Sequence, residues 1–386
     1  MNLLPDHFLG YRRCDGSVGV RNHLAVVSTV ALTNRWAELV AGSTALLVSG
    51  EFIRGLRAAD AVRQDQVILA LATHPNVGAC LVLCHDASSA RLWRERLATS
   101  GRPHEVLALM EQQGMRAALA AGRTALASLE KEREQAQRVP CPVSALTVAL
   151  ECGGSDPTSA LVANPAIGRV VDALIGAGGK AIVSETVEFV GAEEVVRKQC
   201  TDLALAERIV AVIGEAERRM EEDGERYRGI NPTAENIEAG LTTLVEKSMG
   251  AVAKVGTSPF ASLLAFGIVP QRPGLHFMDT PFFSPCSITG MVAAGAQLTL
   301  FAMGVFNPSG NPLAPTVKVC GNATTVERWR DALDVDLSGV LSGVLDLECA
   351  AQRVTTFLLE AAEGRITSAE RWHEGQCIVP KSLAPL

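Results

Sequence analysis

Short apolar runs and stretches of helical periodicity alternate through the first third of the chain. The runs LAVVSTV, ALLVSG, VILALATH and ACLVLC lie between residues 24 and 84, with helix-like ALTNRWAELVAG between the first two. These runs do not alternate with polar residues, which is typical of strands covered on both faces of a parallel sheet. Periodicity and Ala/Leu/Glu/Arg content also predict helices over residues 90–97 and 105–137.

The same pattern resumes after two prolines in RVPCPVS, residues 138–144, which give the clearest boundary signal in the chain. Strands are predicted at 145–151 and 180–185, and helices through 170–177 and between 192 and 224. We therefore predict an α/β fold of two consecutive Rossmann-like domains with largely parallel sheets, residues 1–140 and 141–386.

One stretch is long enough to span a membrane. SITGMVAAGAQLTLFAMGVF, residues 287–306, carries no formal charge over 20 residues. Glycines and polar residues interrupt its apolar character, and an Asn-Pro turn follows it without Lys or Arg anchors. We predict a buried helix followed by a strand, and no membrane segment.

Composition excludes several classes of protein. With 42 acidic and 35 basic side chains, the formal charge of −7 argues against a nucleic-acid binder. The ten cysteines form no CxxC pair and no secretory signal is visible, so we expect a cytoplasmic protein. HExxH, GxSxG, Walker A and GxGxxG motifs are all absent from the sequence.

The sharpest local signal is ECGGSD, residues 151–156, between a predicted strand and a predicted helix. This position is the carboxyl end of a parallel strand, where ligands bind. Two glycines allow backbone amides to approach a ligand, and a helix N-terminus favours an anion such as a substrate carboxylate. Ser155 and Asp156 can instead simply cap the helix.

Further polar clusters follow. Glu185 and Glu188 close the next strand, where carboxylates can bind a divalent cation or act as general acid or base. Lys247, downstream of Asn236, can orient an acid substrate or be merely solvated on a surface helix. Polar residues also occur within apolar segments, namely Asp279, Thr289, Gln297, Lys318 and Asn322. Such residues can face a binding site, or they can hydrogen-bond one another in the core.

Long motifs in a fixed order resemble the altronate and galactarate dehydratase family over roughly residues 10 to 325. The motifs are GSVGVRNH, HPNVG, ECGGSD, ANPAIG, SETVEFVGAEE, NIEAGLTTLVEKSMGAVAKVGTSP, GLHFMDTP, ITGMVAAGAQLTLF and PLAPTVKVCGN. The resemblance implies a lyase that eliminates water from a small sugar acid or hydroxy acid to give a 2-keto acid. The large subunit of sulfolactate sulfo-lyase is similar in layout, and it expels sulfite instead.

The resemblance also implies a set of site residues and a divalent metal, Fe²⁺ or Mn²⁺. We assign the catalytic role to Lys247, Asp279, Gln297 and Lys318. We assign the metal to Cys152, Glu185 and Glu188. Contacts to a small carboxylate substrate are assigned to Arg21, Asn22, Gly153, Gly154, Ser155, Asp156, Asn164, Asn236, Thr289 and Asn322.

The chain departs from the family pattern at polar positions. Leu32, Ala87 and Ser88 stand where the family has Cys, Cys and Glu, and FAMGVF replaces FTTGRG. The alternative to an active lyase is therefore an inactive or divergent homologue that acts as a binding or regulatory partner. Single-chain members also carry about a hundred residues ahead of GVRN, where this sequence has 18. We expect a separate small subunit, and we expect an oligomer.

Overall fold

The chain divides into two compact units in the computed structural model, which describes residues 3–222 and 231–382. The smaller unit comprises Leu9–Cys141 with residues 377–382, and the larger comprises residues 3–8 with Pro142–Gln376. Each unit thus includes a short segment from the opposite end of the chain. A division in chain order, such as 1–140 and 141–386, leaves these two end segments with the other unit.

A four-stranded parallel sheet forms the core of the smaller unit, in the order β4-β3-β5-β6. Up to residue 142 the elements are β1 (His7–Arg12), β2 (Val18–Gly19), β3 (His23–Ser28), α1 (Asn34–Ala41), β4 (Leu46–Val48), α2 (Ala58–Ala72), β5 (Val77–Cys84), α3 (Ala87–Leu97), β6 (His104–Ala108), α4 (Met115–Arg133) and β7 (Val139–Pro142). Trp36 of α1 belongs to the same buried core as Val26 and Leu81 of the sheet. A separate small sheet has the order β2-β1-β7, with β1 and β2 antiparallel.

Two local predictions in this unit are wrong. VILALATH is not a strand, because most of it forms the end of α2, where Val67, Ile68 and Leu71 are buried. Residues 105–108 belong to strand β6 rather than to a helix, because they pair in parallel with β5. The helix predicted there begins only at Met115.

A seven-stranded sheet with every neighbouring pair parallel forms the centre of the larger unit. Its strands are β8 (Thr147–Cys152), β9 (Lys180–Val183), β10 (Phe260–Leu264), β11 (Gly274–Met278), β12 (Leu298–Met303), β13 (Thr316–Cys320) and β14 (Val335–Asp336). The helices are α5 (Asn164–Gly176), α6 (Glu193–Gln199), α7 (Leu203–Glu222), α8 (Ala234–Glu238), α9 (Leu244–Val252), α10 (Ser284–Ala293), α11 (Ala323–Arg328), α12 (Leu347–Ala362) and α13 (Ser368–Arg371). The order is β10-β11-β9-β8-β12-β13-β14, which confirms the predicted α/β class with largely parallel sheets.

Two apolar segments of this unit have the length of a membrane span. Residues 287–306 form most of α10 and all of β12, both buried, so the predicted helix and strand are confirmed. Among the described residues, one helical stretch, Ser159–Gly176, is long and apolar enough to cross a membrane by length and composition. It consists of a π-helical segment, Ser159–Ala163, followed by α5, and α5 packs on α12.

Candidate active site

The order of the strands in the larger unit sets the place of the site. β8 is central, the chain continues to β9 on one side, and it later returns to β12 on the other side of β8. The carboxyl end of β8 is therefore a topological switch point, the crevice at which open α/β sheets bind ligands. ECGGSD begins with the last two residues of β8 and SETVE directly follows β9, so both motifs lie at this edge.

Two glutamates pair at the switch point. Glu151 in β8 and Glu185 after β9 are 1% and 2% exposed, and their carboxyl groups lie close enough for each to act on the pKa of the other. The Ser287 hydroxyl donates to Glu151 Oε2, and the Glu185 amide donates to Thr280 Oγ1 at 2.8 Å. Glu185 has left-handed backbone angles, φ 65° and ψ 67°, which cost a residue other than glycine about 1–3 kcal/mol. Such strain is found most often at functional sites.

Burial sets the protonation of this pair. It raises the pKa of Glu151 to about 7, and the nearby charge of Glu188 adds to the effect. Burial, followed by the charges of Glu151 and Glu188, raises the pKa of Glu185 well above its ordinary value, while Lys247 opposes the rise. Because each carboxyl acts on the pKa of the other, the two titrate as a pair. Both shifts favour the protonated form over the charged form.

A buried ion pair adjoins the two carboxyls. Lys254 Nζ lies 2.5 Å from Glu188 Oε2, and both side chains are buried. Burial alone would lower the pKa of Lys254, but the negative charge of Glu188 is the largest opposing influence, and the net effect is a raised pKa. Breaking such a pair leaves one charge buried without compensation. Lys254 and Glu188 thus depend on each other.

Cys152 ends β8 beside this cluster. Its sulfur lies 3.3 Å from Ser155 Oγ and accepts a hydrogen bond from Asn164 Nδ2 at 3.4 Å. Burial, and then the charge of Glu188, raises the pKa of the thiol. Asn236 Nδ2 donates to the Ser155 carbonyl at 2.9 Å and so holds the loop in place. Three predicted site residues, Cys152, Ser155 and Asn164, therefore meet, but as a network around a neutral thiol.

The two glycines of the motif allow close approach of other protein groups. Gly154 has φ +66°, and a Cβ there would lie 2.1 Å from the Val305 carbonyl oxygen. A Cβ on Gly153 would lie 2.8 Å from both Ser284 Oγ and Asn307 Nδ2. The loop is thus packed tightly against its neighbours, which requires glycine at both positions.

Asp156 matches the alternative of a capping residue. Its Oδ1 accepts from the Thr158 hydroxyl at 2.7 Å and from the Ser159 amide at 2.8 Å. Its Oδ2 accepts from Asn322 Nδ2 at 2.7 Å. Asp156 and Asn322 are therefore brought together, and they tie the loop after β8 to the start of α11.

Lys247 is buried, which excludes the solvated reading for this residue. Its ammonium donates to Asn231 Oδ1 at 2.7 Å and lies 5.3 Å from the ring centroid of Phe282. Glu246, the residue before Lys247, is exposed and accepts hydrogen bonds from the amide and hydroxyl of Thr242. The charge of Lys247 favours the ionised form of Glu185 and so opposes the rise in the pKa of that carboxyl.

Asp279 also lies near the pair. Its Oδ1 accepts from the hydroxyl of Thr186, the residue after Glu185, at 2.7 Å. Thr289 is placed differently, because its hydroxyl donates at 2.7 Å to the Pro285 carbonyl one turn earlier in α10. The structure thus brings Asp279 to the candidate site and gives Thr289 a bond within its own helix.

Gln297 and Lys318 have partners away from the carboxyl pair. Gln297 precedes β12 at the amino-terminal edge of the sheet, where it accepts from the Thr147 amide at 2.5 Å and donates to the Ala145 carbonyl at 2.9 Å. Lys318 in β13 is fully buried and pairs with Glu374. We therefore do not include either residue, both predicted to be catalytic, in the proposed site.

Arg21 and Asn22 belong to the smaller unit, directly before β3. Arg21 is buried and donates to the Val20 carbonyl at 2.9 Å. Asn22 accepts from Arg13 at 2.8 Å and donates to the Arg133 carbonyl at 2.9 Å. Both lie at the amino end of their strand, and their substrate-binding role stays a prediction.

Three residues at the site received no role from the sequence, namely Glu151, Lys254 and Ser287. Each lies in an almost wholly apolar segment, within ALTVALE, MGAVAKVG and SITGMVAAG. A charged residue inside such a segment must find a partner when it is buried, and that signal could have identified Glu151 and Lys254.

The residues assigned to a metal do not fit a divalent ion. Glu188 is paired with Lys254, Glu185 with Glu151, and Cys152 is a hydrogen-bonded thiol. Metal ligation requires deprotonated donors. Within residues 3–222 and 231–382, no group of three or more His, Cys, Asp or Glu side chains is arranged to hold a metal ion. The predicted Fe²⁺ or Mn²⁺ stays a prediction, and none of the chemistry below depends on it.

Two family models together match nearly the whole chain. The model for the C-terminal part of D-galactarate/altronate dehydratase matches residues 143–384. The model for the second domain of D-galactarate dehydratase/altronate hydrolase matches residues 10–134. The chain belongs to the galactarate and altronate dehydratase family. The resemblance found in the sequence motifs is thereby confirmed.

Individual relatives agree with the family. The (2R)-sulfolactate sulfo-lyase subunit beta of Chromohalobacter salexigens is 33% identical over 376 residues, which cover 96% of each chain. Altronate dehydratase of Bacillus subtilis is 28% identical over 94% of this chain and 75% of its own. Galactarate dehydratase (L-threo-forming) of Escherichia coli is 30% identical over 62% of this chain and 46% of its own. All three are lyases by name, and the family is one of lyases.

Proposed function

We propose that this chain is the catalytic subunit of a lyase that removes water, or a related β leaving group, from a small sugar acid or hydroxy acid to give a 2-keto acid. The observation that carries the proposal is the buried Glu151–Glu185 pair at the switch point of the sheet. A pair of carboxyls that retains one proton contains both a base and an acid, which an elimination needs.

The elimination uses the two carboxyls in turn. One carboxylate of the pair takes the proton from the α-carbon, and the electrons of that C–H bond form the α,β double bond as the bond to the β-oxygen breaks. The departing hydroxyl takes the retained proton and leaves as water, and the enol product becomes the 2-keto acid. Negative charge builds up on the substrate carboxylate during this step. The ammonium of Lys247, held by Asn231, is the nearby group suited to stabilise it.

Unpartnered buried atoms support a polar ligand in the same place. Asn231 Nδ2, Ser184 Oγ, Ser248 Oγ, Glu188 Oε1 and Asn164 Oδ1 are buried and have no hydrogen-bond partner among the residues the structure describes. Buried polar atoms without partners cost free energy, which a bound hydroxy acid would recover. The first three can donate, as a ligand rich in oxygen requires.

The alternative of an inactive homologue has less support. The relatives compared above are named as enzymes, and the positions where this chain departs from the family pattern lie outside the carboxyl pair. A buried carboxyl pair destabilises the fold at neutral pH. An enzyme can use such a pair in catalysis, whereas a passive binding partner has no use for it.

We also propose a separate small subunit as partner. The relative matched over 96% of both chains is named a subunit beta, and the altronate dehydratase from Bacillus subtilis is matched over 75% of its own length. A cytoplasmic location and an oligomeric assembly remain part of the proposal. Every cysteine in the described part of the chain is a free thiol, which supports a reducing compartment.

The test is turnover of a substrate panel by the full chain, with a co-expressed small subunit where the gene neighbourhood provides one. Aldonates, aldarates and sulfolactate are offered, and keto acid and sulfite are both measured. We expect keto acid, and we expect Glu151→Gln and Glu185→Gln to lower kcat by about 10²–10⁴-fold. Exposed Glu238→Gln in α8 is the matched control. Full rates in both pair variants would exclude the pair as acid and base, and no turnover of the panel would refute the proposed activity.

A further inference from the structure

Lys254 provides the positive charge within an acidic cluster that consists of the buried side chains Glu151, Glu185 and Glu188. Lys254 Nζ approaches Glu188 Oε2 to 2.5 Å, with the side chains 1% and 0% exposed. It also lies 5.9 Å from the ring centroid of Phe189. Its charge acts on both Glu151 and Cys152. The ammonium therefore neutralises the cluster from within, where solvent does not reach.

A divalent ion on the predicted ligands would have to displace existing partners. Glu188 would release Lys254, and Cys152 would lose the hydrogen bond from Asn164. The ion would also stand close to a buried ammonium, and like charges at short distance in a poorly solvated interior repel strongly. Lys254 compensates the charge of Glu188 without these costs.

We propose that Lys254 is the fixed cation of this site, that it positions Glu188 beside the carboxyl pair, and that Cys152, Glu185 and Glu188 hold no metal ion. Lys254 is thus a positioning residue, because it acts on the reacting groups through Glu188. The kinetic consequence rests on the proposed lyase function. The metal consequence does not, so each can fail separately.

The metal consequence is tested by elemental analysis. The full chain, with its small subunit where the two co-purify, is prepared without oxygen as wild type, Cys152→Ser and Glu188→Gln, and iron, manganese and zinc are measured per chain. We expect equal metal content in all three proteins. An ion bound elsewhere in the assembly would be present in all three in the same amount. A stoichiometric ion that is present in the wild type and lost from either variant would overturn the proposal.

The positioning role is tested by kinetics. Lys254→Met should lower kcat at least about tenfold with KM within about twofold, shift the pH profile of kcat, and be partly rescued by Lys254→Arg. Exposed Lys198→Met in α6 is the matched control. Where the single variant folds poorly, Lys254→Met with Glu188→Met removes both charges and restores a compact core. Wild-type kcat and pH profile in folded Lys254→Met would refute the positioning role.

Discussion

Replacing Glu151 by glutamine should change how stability depends on pH. The pKa of this carboxyl is raised from 4.5 to about 7 in the folded protein, so the fold favours the protonated form. A raised pKa stabilises the fold fully below the unfolded value of 4.5, and this contribution is lost as the pH rises through about 7. At about 1.36 kcal/mol per tenfold change in the protonation equilibrium, the loss between pH 4 and pH 8 is about 3 kcal/mol. Glutamine, which is always neutral and can still accept from Ser287, removes this term.

Calorimetry of wild type and Glu151→Gln at pH 5, 6, 7 and 8 measures the difference. For a unit of this size, about 3 kcal/mol corresponds to a change in Tm of about 6–12 °C. We expect the variant to gain most of that amount over the wild type between pH 5 and pH 8, and we expect the exposed control Glu238→Gln to follow the wild type. Parallel curves for wild type and Glu151→Gln would refute the reasoning, because they would mean that the buried carboxyl does not titrate in this range.

Three other substitutions test the packing around the site. Gly154→Ala should lower the free energy of unfolding by at least about 2 kcal/mol, because the added Cβ would lie 2.1 Å from the Val305 carbonyl oxygen and φ is positive. Urea denaturation measures this change, and an unchanged midpoint would contradict it. Lys318→Met should cost about 3–5 kcal/mol by the same measurement because it strands Glu374, and the cost should shrink when Glu374→Met is added. Cys152→Ser should retain more than about a tenth of kcat in the keto-acid assay because the thiol is neutral, whereas a near-total loss would point to a thiolate role.

Local patterns determined most of the secondary structure. Continuous apolar runs identified β3, β5, β8 and β9, and glycines with polar residues in 287–306 correctly indicated a buried helix and strand. The errors have a physical reason. His104–Ala108 carries charged residues that suit a helix, but pairing with β5 makes it a strand. VILALATH has the apolar content of a buried strand and is the buried end of α2 instead.

The sequence also placed the candidate site in general terms, because residues after parallel strands must meet at one edge of the sheet. ECGGSD and SETVE do lie at that edge, and the motif order gave the family. Buried Lys247 and capping Asp156 were each among the alternatives that the residue types allowed.

Only the tertiary structure decided which charges meet. Glu188 pairs with Lys254, 66 residues away, and Lys318 pairs with Glu374, 56 residues away. The partner of a buried charge depends on strand order and on which side chains share one interior space, and neither is a local property of the chain. For the same reason the sequence, which assigned Glu188 to a metal, could not show that this carboxylate pairs with Lys254.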